Sequence, residues 1–271
     1  MRVVIQDTPD AAARYAADLF ARQLVGKPGS VLGLATGSTP LLLYEKLIER
    51  CRQGRLSFRE ATTFNLDEYL GLEGTHPQSY RYFMDRALFD HIDIDKNRTH
   101  LPDAVHHDPH SAAQNYERNI RDAGGLDLQL LGIGVNGHIG FNEPYSSLGS
   151  RTRVKTLTAQ TVADNARFFA DDEFQPHLSL TMGIGTILEA RKIVLLATGR
   201  AKAPAVRQSI EGPVTAKCPS SALQLHPATT VLLDTEAASE LEDPAFFRYI
   251  EEQDQALSDS PDVRCIPFTI T

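Results

Sequence analysis

Asn136, His138 and Glu143 lie close together in the stretch LLGIGVNGHIGFNEP, residues 130–144, with the histidine set between Gly137 and Gly140. An imidazole titrates near neutral pH and can pass a proton between two oxygens, while a nearby carboxylate orients the ring. The glycines let a ligand approach the backbone on either side of the ring. A lone loop histidine is ordinarily inert, so the reading depends on the company it keeps. Gly132, Gly134 and Gly137 formally match a dinucleotide-binding turn, but such a turn opens a helix. Here HIGFNEP follows, irregular and stopped by Pro144, and no acidic residue stands at the usual spacing beyond it.

A second chemical group is Asp67, which follows the apolar run TTFNL and precedes Glu68 and Tyr69. Adjacent side chains on extended chain point to opposite sides, so one of the two carboxylates is expected to face a site. Partly desolvated, it is a suitable base for a carbon acid beside a carbonyl. The plainer alternative is a cap or a solvated loop residue. A third group is Gly37-Ser38-Thr39-Pro40, between VLGLAT and a helical pattern. Backbone N–H groups and hydroxyls at a helix N-terminus bind phosphate well, although Ser38 or Thr39 can equally serve only as a cap. Lys202, in GRAK after KIVLLAT, can reach a phosphate held there, and Arg167 in DNARFF is a further cation with no spacing argument of its own. His100, His106, His107 and His110 cluster in THLPDAVHHDPH, but Pro102 and Pro109 mark a loop without the spaced ligand set of a catalytic metal, so no metal is expected.

These groups need elements to hold them. RVVIQ, VLGLAT, TTFNL, LDLQLLGIG, KIVLLAT and TTVLLD read as strands buried on both faces, with helical patterns between them. That alternation predicts an α/β fold with an open, mostly parallel sheet. Thr8-Pro9, Pro40 and Pro109 mark helix starts. Ligands bind beyond the carboxyl ends of such strands, which is where the loops above fall.

A chain of 271 residues with 42% hydrophobic content fits one domain spanning residues 1–271, with a polar, loosely held tail from about Glu251. The formal net charge of −8 argues against nucleic-acid or anionic-membrane partners, so an anionic substrate needs a local cationic pocket. Cys51, Cys218 and Cys265 are scattered and odd in number, and MRVVIQD lacks the basic start of a secretory signal. No apolar run approaches the ~20 residues of a membrane span. A reduced, cytoplasmic protein is expected.

The segments LGLATGSTP, TFNLDEYLGL, HPQSY, GIGVNGHIGFNEPYSSLGSRTRVKTL, NARFF, LTMGIGTIL, ATGRAKA and LQLHP, spread over residues 31–227, resemble the glucosamine-6-phosphate deaminase family, within the larger sugar-phosphate isomerase and lactonase group. The resemblance implies a Rossmann-like, three-layer fold with helices on both faces of the sheet and a lid over residues 157–181. It implies conversion of glucosamine 6-phosphate and water to fructose 6-phosphate and ammonia without an organic cofactor. His138, held by Glu143, would open the sugar ring, and Asp67 would move the C2 proton to C1. Gly37, Ser38, Thr39, Arg167 and Lys202 would bind the phosphate. Some members carry Asp where this chain has Asn136. Asn cannot stabilise an imidazolium by charge, which predicts a ring-opening pH dependence displaced to lower pH.

In regulated, hexameric members the residues matching Ser146, Arg153, Lys155 and Thr156 bind N-acetylglucosamine 6-phosphate at a subunit interface, near a tyrosine that corresponds to Tyr249. The resemblance therefore implies a homo-oligomer, with a hexamer favoured, and an allosteric activator; the alternative is a solvated basic strand. A 6-phosphogluconolactonase would read DER in place of Asp67-Glu68-Tyr69 and would lack Asn142-Glu143-Pro144. A sugar-phosphate-sensing regulatory domain would carry a DNA-binding segment, and the chain shows no helix-turn-helix pattern. Preference between glucosamine and galactosamine epimers is not legible in these motifs.

Overall fold

The computed structural model describes residues 1–158, 162 and 174–259. Its strands, in chain order, are β1 (Arg2–Gln6), β2 (Val31–Leu34), β3 (Thr62–Asn65), β4 (Asp67–Tyr69), β5 (Thr99–His100), β6 (Leu128–Leu131), β7 (Arg153–Thr156), β8 (Leu178–Thr181), β9 (Ile193–Ala197) and β10 (Thr229–Asp234). The α-helices are α1 (Pro9–Gly26), α2 (Thr39–Arg52), α3 (Tyr80–Ala87), α4 (Pro109–Asp122), α5 (Ile184–Leu188), α6 (Ala203–Ile210) and α7 (Pro244–Asp259).

Seven strands form an open sheet in the order β1-β10-β9-β6-β2-β3-β5, with every neighbouring pair parallel. The apolar runs explain it. Every residue of β2, β6 and β9 is buried, so both faces of the sheet are covered, as parallel strands joined by helices require. From β2 the chain extends the sheet one way through β3 and β5, then returns beside β2 as β6 and extends it the other way. The reversal between β2 and β6 is a topological switch point, where a crevice opens beyond the strand ends.

Helix starts follow the sequence signals. Thr8 accepts the Ala11 N–H at 3.1 Å ahead of Pro9, a cap worth about 1 kcal/mol, and α1 buries Ala12, Ala13, Ala16, Phe20 and Leu24 along one face. The stretch from Glu251, expected to be loose, instead continues α7 to Asp259. Glu251 is buried and accepts hydrogen bonds from Arg2 at 2.7 and 2.8 Å and from the Tyr15 hydroxyl at 3.0 Å. Its polar composition reflects the open face of an amphipathic helix rather than an unattached tail. Cys51 and Cys218 are free thiols, and Cys265 lies outside the described residues.

A second, three-stranded antiparallel sheet, β4-β8-β7, was not anticipated. Leu66 alone separates β3 from β4. Its N–H donates to Leu34 O at 3.0 Å and its carbonyl accepts the Met182 N–H at 2.7 Å, so one residue is tied to both sheets. Most of the expected lid, 157–181, lies outside the described residues. Its two flanks are described: Leu157 N–H bonds His177 O at 2.9 Å, and β8 runs back along β7.

Candidate active site

A cavity of about 340 Å³ opens at the switch point, beyond the ends of β2, β3 and β6, with Gly37, Ser38, Thr39, Asp67, His138 and Lys202 on its walls. A larger one of about 750 Å³ lies at the opposite ends of the strands, lined by Arg2, Thr229 and α7, and holds none of these residues.

One wall is a helix start. Gly37, at φ +100, makes the turn that only glycine takes without strain, and α2 begins at Thr39. Ser38 occupies the cap position but makes no side-chain capping bond, so its hydroxyl is left for a ligand. Lys202 ends the 3-10 turn Arg200–Lys202; it is half-buried, and burial lowers its pKa. The turn is pinned by Asp234 at the end of β10, whose carboxylate accepts the Gly199 N–H at 3.0 and 3.1 Å. Arg167 lies outside the described residues.

The floor is Asp67, 5% exposed. Burial, reinforced by the neighbouring Glu68, pushes its carboxyl up to about 8. Glu68 points the other way, as alternation along a strand requires. It accepts the N–H groups of Tyr69 at 2.9 Å, Tyr80 at 2.8 Å and Arg81 at 2.8 Å. Burial raises Glu68 to about 7, against these three N–H groups and the positive end of α3. The two carboxylates thus take separate work: Glu68 anchors α3, and Asp67 meets the cavity.

The opposite wall is the 134–143 loop. Its glycines open no helix; Gly134 N–H closes back onto His138 O at 2.9 Å. The imidazole lies flat over Gly134, where a Cβ would fall 2.3–2.5 Å from Cε1, Nδ1 and Nε2. Nδ1 is enclosed, 3.2 Å from Glu143 Oε1, within ion-pair range but too oblique for a regular hydrogen bond. Nε2 is the nitrogen left for a ligand. Asn136 donates from Nδ2 to Glu143 Oε2 at 2.7 Å and accepts the His138 N–H at 3.2 Å. Burial raises Glu143, but His138, Asn136 and the charge of Lys155 outweigh it and hold the carboxyl below its ordinary value.

Tyr80, given no role from sequence, lines the same cavity. Its ring stacks on Phe141 at 6.0 Å and its hydroxyl reaches the Tyr69 hydroxyl at 3.2 Å. Its traces in the sequence are its place at the end of the HPQSY segment and after Ser79, which caps α3 by accepting the Tyr82 N–H at 3.0 Å.

Of the residues read as an effector site, Arg153, Lys155 and Thr156 lie together on β7. Ser146 is buried, Thr156 is exposed, and Arg153 donates to Asn142 Oδ1 at 2.8 Å and to Arg151 O at 3.3 Å. Tyr249 is on α7, which packs on β1 at the far edge of the large sheet. Among the described residues, no group of three or more His, Cys, Asp or Glu side chains is placed to hold a metal; His106 and His107 stack on each other and His100 on Phe64.

A crevice with a helix start, a buried carboxylate and a carboxylate-held imidazole suits the binding and proton chemistry of a phosphorylated substrate. A family profile described as glucosamine-6-phosphate isomerases/6-phosphogluconolactonase matches residues 6–232. The chain belongs to this isomerase/lactonase family. Within the family it is 61% identical over 259 residues to the glucosamine-6-phosphate deaminase of Cellvibrio japonicus, covering 96% of this chain and 98% of that one. The corresponding deaminase of Shewanella woodyi is 60% identical over 257 residues, covering 95% and 97%. Among solved structures, a monomeric glucosamine-6-phosphate deaminase superposes with a TM-score of 0.85 at 45% identity, covering 89% of this chain and all of that one. The 6-phosphogluconolactonase of Trypanosoma cruzi, at 21% identity and a TM-score of 0.72, shares the isomerase/lactonase fold alone.

Proposed function

We propose that the chain converts glucosamine 6-phosphate and water into fructose 6-phosphate and ammonia, with Asp67 and His138 as its proton-transfer groups. The observation that carries this reading is their meeting in one cavity whose far wall is the Gly37–Thr39 helix start and Lys202. The substrate phosphate sits on that wall; the resemblance adds Arg167, which lies outside the described residues. His138, held by Glu143, takes the proton of the C1 hydroxyl and returns one to the ring oxygen, which opens the ring to the aldehyde. The C2 hydrogen is then acidic. Asp67 removes it while the C1 carbonyl oxygen takes up a proton, giving a C1–C2 enolamine; Asp67 then returns its proton to C1, and the enolamine becomes the C2 imine. Water adds to the imine, and the carbinolamine expels ammonia to leave the C2 ketone. Burial that raises the carboxyl to about 8 makes its carboxylate a stronger base but keeps it mostly protonated at neutral pH, and the substrate's C2 ammonium beside it favours the ionised form.

The test is release of ammonia and fructose 6-phosphate in equal amounts from glucosamine 6-phosphate. Binding of the sugar phosphate without release would make the chain a sensor, and release only from the galactosamine epimer would change the substrate. Sugar phosphates are retained inside cells by their charge, so the reaction belongs in the cytoplasm, in amino-sugar catabolism.

Asn136 has a measurable consequence. In Asn136→Asp a carboxylate replaces the amide that donates to Glu143 at 2.7 Å. Like charges then raise Glu143 and favour an imidazolium at position 138, so the pH–rate profile moves to higher pH. An unmoved profile overturns the role given to Asn136.

A second reading, a hexamer activated by N-acetylglucosamine 6-phosphate, is favoured by one observation. Arg153 bonds Asn142, and the charge of Lys155 acts on Glu143, so an anion on β7 has a direct route to the catalytic loop. Ser146, Thr156 and the Tyr249 of a neighbouring copy would complete the site. On this reading the substrate curve is sigmoidal and the effector makes it hyperbolic. A single-chain mass by light scattering, as in the monomeric relative, with curves indifferent to the effector, removes it.

A further inference from the structure

The small sheet sets three side chains in one row. Asp67 of β4 is paired with Thr181 of β8, and Thr181 with Arg153 of β7. All three meet the turn Ile139–Asn142, which joins His138 to Glu143. Thr181 Oγ1 accepts the Phe141 N–H at 3.1 Å, and Arg153 donates to Asn142 Oδ1 at 2.8 Å. The Asn142 amide donates to Ile139 O at 2.9 Å and to Met182 O at 2.8 Å, the residue after Thr181. Gly140, at φ +55, fits the turn to the row: a Cβ there would lie 3.0 Å from Thr181 Oγ1 and 3.2 Å from Asp67 Oδ2.

We infer that Thr181 and Arg153 are positioning residues, the two jaws of a clamp that fixes the Ile139–Asn142 turn, and with it His138 and Glu143, against Asp67. The inference rests on the reading of the site proposed above. Ring opening and C2 proton transfer use groups from distant segments on one bound substrate, and a misplacement of about 1 Å can cost about a hundredfold in rate. Beyond accepting the Phe141 N–H, the Thr181 hydroxyl makes one long donation, to Met182 O at 3.4 Å. The side chain is fully buried, and valine has its shape, so packing alone would be served by valine.

The clamp also bears on Asp67. The Phe141 N–H acts on the Asp67 carboxylate as well, favouring its ionised form. With the Thr181 hydroxyl gone, that N–H has Asp67 as its remaining acceptor, and Asp67 ionises at lower pH. The titratable and charged groups facing Asp67 are Glu68 on its own strand, Tyr80 of α3, Tyr116 of α4, and His138 and Lys202 across the cavity. None is altered by substitution at 181.

The experiment compares full-length wild type with Thr181→Val, Thr181→Ser, Arg153→Gln, the Val/Gln double variant and Asp67→Asn, reading kcat, KM and the pH profile of product release. Thr181→Val is expected to lower kcat by about tenfold to a hundredfold, with KM within about twofold, and to move the acid limb to lower pH. Thr181→Ser restores both. The double variant loses less than the product of the single losses, because both jaws hold one turn. Wild-type kcat and acid limb in Thr181→Val overturn the inference, as does a serine variant no better than valine. Should the valine variant not fold, Thr181→Ala against Thr181→Ser decides on the same readouts. Full activity in Asp67→Asn instead sinks the site assignment, which separates the two failures.

Discussion

Asp67→Asn is expected to lower turnover of glucosamine 6-phosphate by about a thousandfold, as removal of a general base does, while raising thermal stability at alkaline pH. The side chains are nearly isosteric, so the cavity keeps its shape and the substrate still binds. The stability effect follows from burial. The folded-state carboxyl titrates at about 8 against an ordinary value of 3.8. A group raised in this way binds more protons folded than unfolded between those values. Its contribution is fully present below the ordinary value and is lost as pH rises through about 8. Asn carries no such dependence. The gap in Tm between variant and wild type should widen from pH 5 to pH 9. A constant gap would mean that Asp67 is already ionised in the empty site, and retained turnover would remove it as the base.

Gly134→Ala is expected to give a stable protein with about a hundredfold less activity. Gly134 is outside the positive-φ region, so alanine meets no backbone strain there. The new methyl would lie 2.3–2.5 Å from three atoms of the His138 ring, so the imidazole must leave its place. A side chain on a loop can do so at small cost to the fold, and loss of a glycine stiffens the unfolded chain in compensation. Unfolding and steady-state kinetics check the pair of outcomes. A Tm near wild type with activity within about threefold of it would show that ring placement over Gly134 does not matter.

The parallel sheet was legible because its strands are apolar throughout: RVVIQ and TTVLLD coincide with β1 and β10 to the residue. The small sheet was not, because β4 reads DEY and β7 reads RVKT, short and polar segments that carry no alternation of their own and pair only through tertiary contacts. Its absence from the sequence reading hid the row that brings Arg153 to Asn142. Asp67, His138 and Lys202 stood out by residue type at strand ends. Thr181 did not, since a threonine in LSLTMG looks like a core residue with a branched side chain, and its hydroxyl gains meaning only from the N–H it meets. The first part of the expected loose tail, 251–259, is helix for a related reason, since Glu251 looks solvated until Arg2 and Tyr15, far away in sequence, reach it; residues 260–271 lie outside the described residues.

The single-residue passage at Leu66 limits how this scaffold can diverge. In the loops after β2, β6 and β9 a change of length displaces the site residues they carry but imposes no alternation on the chain that follows. At the junction, one added or deleted residue reverses which way every following side chain faces. The position of Asp67 would turn toward α3, and that of Glu68 would be presented to the cavity on a longer side chain. Descendants with new chemistry must therefore change the identity of residue 67 and keep the count of residues before it.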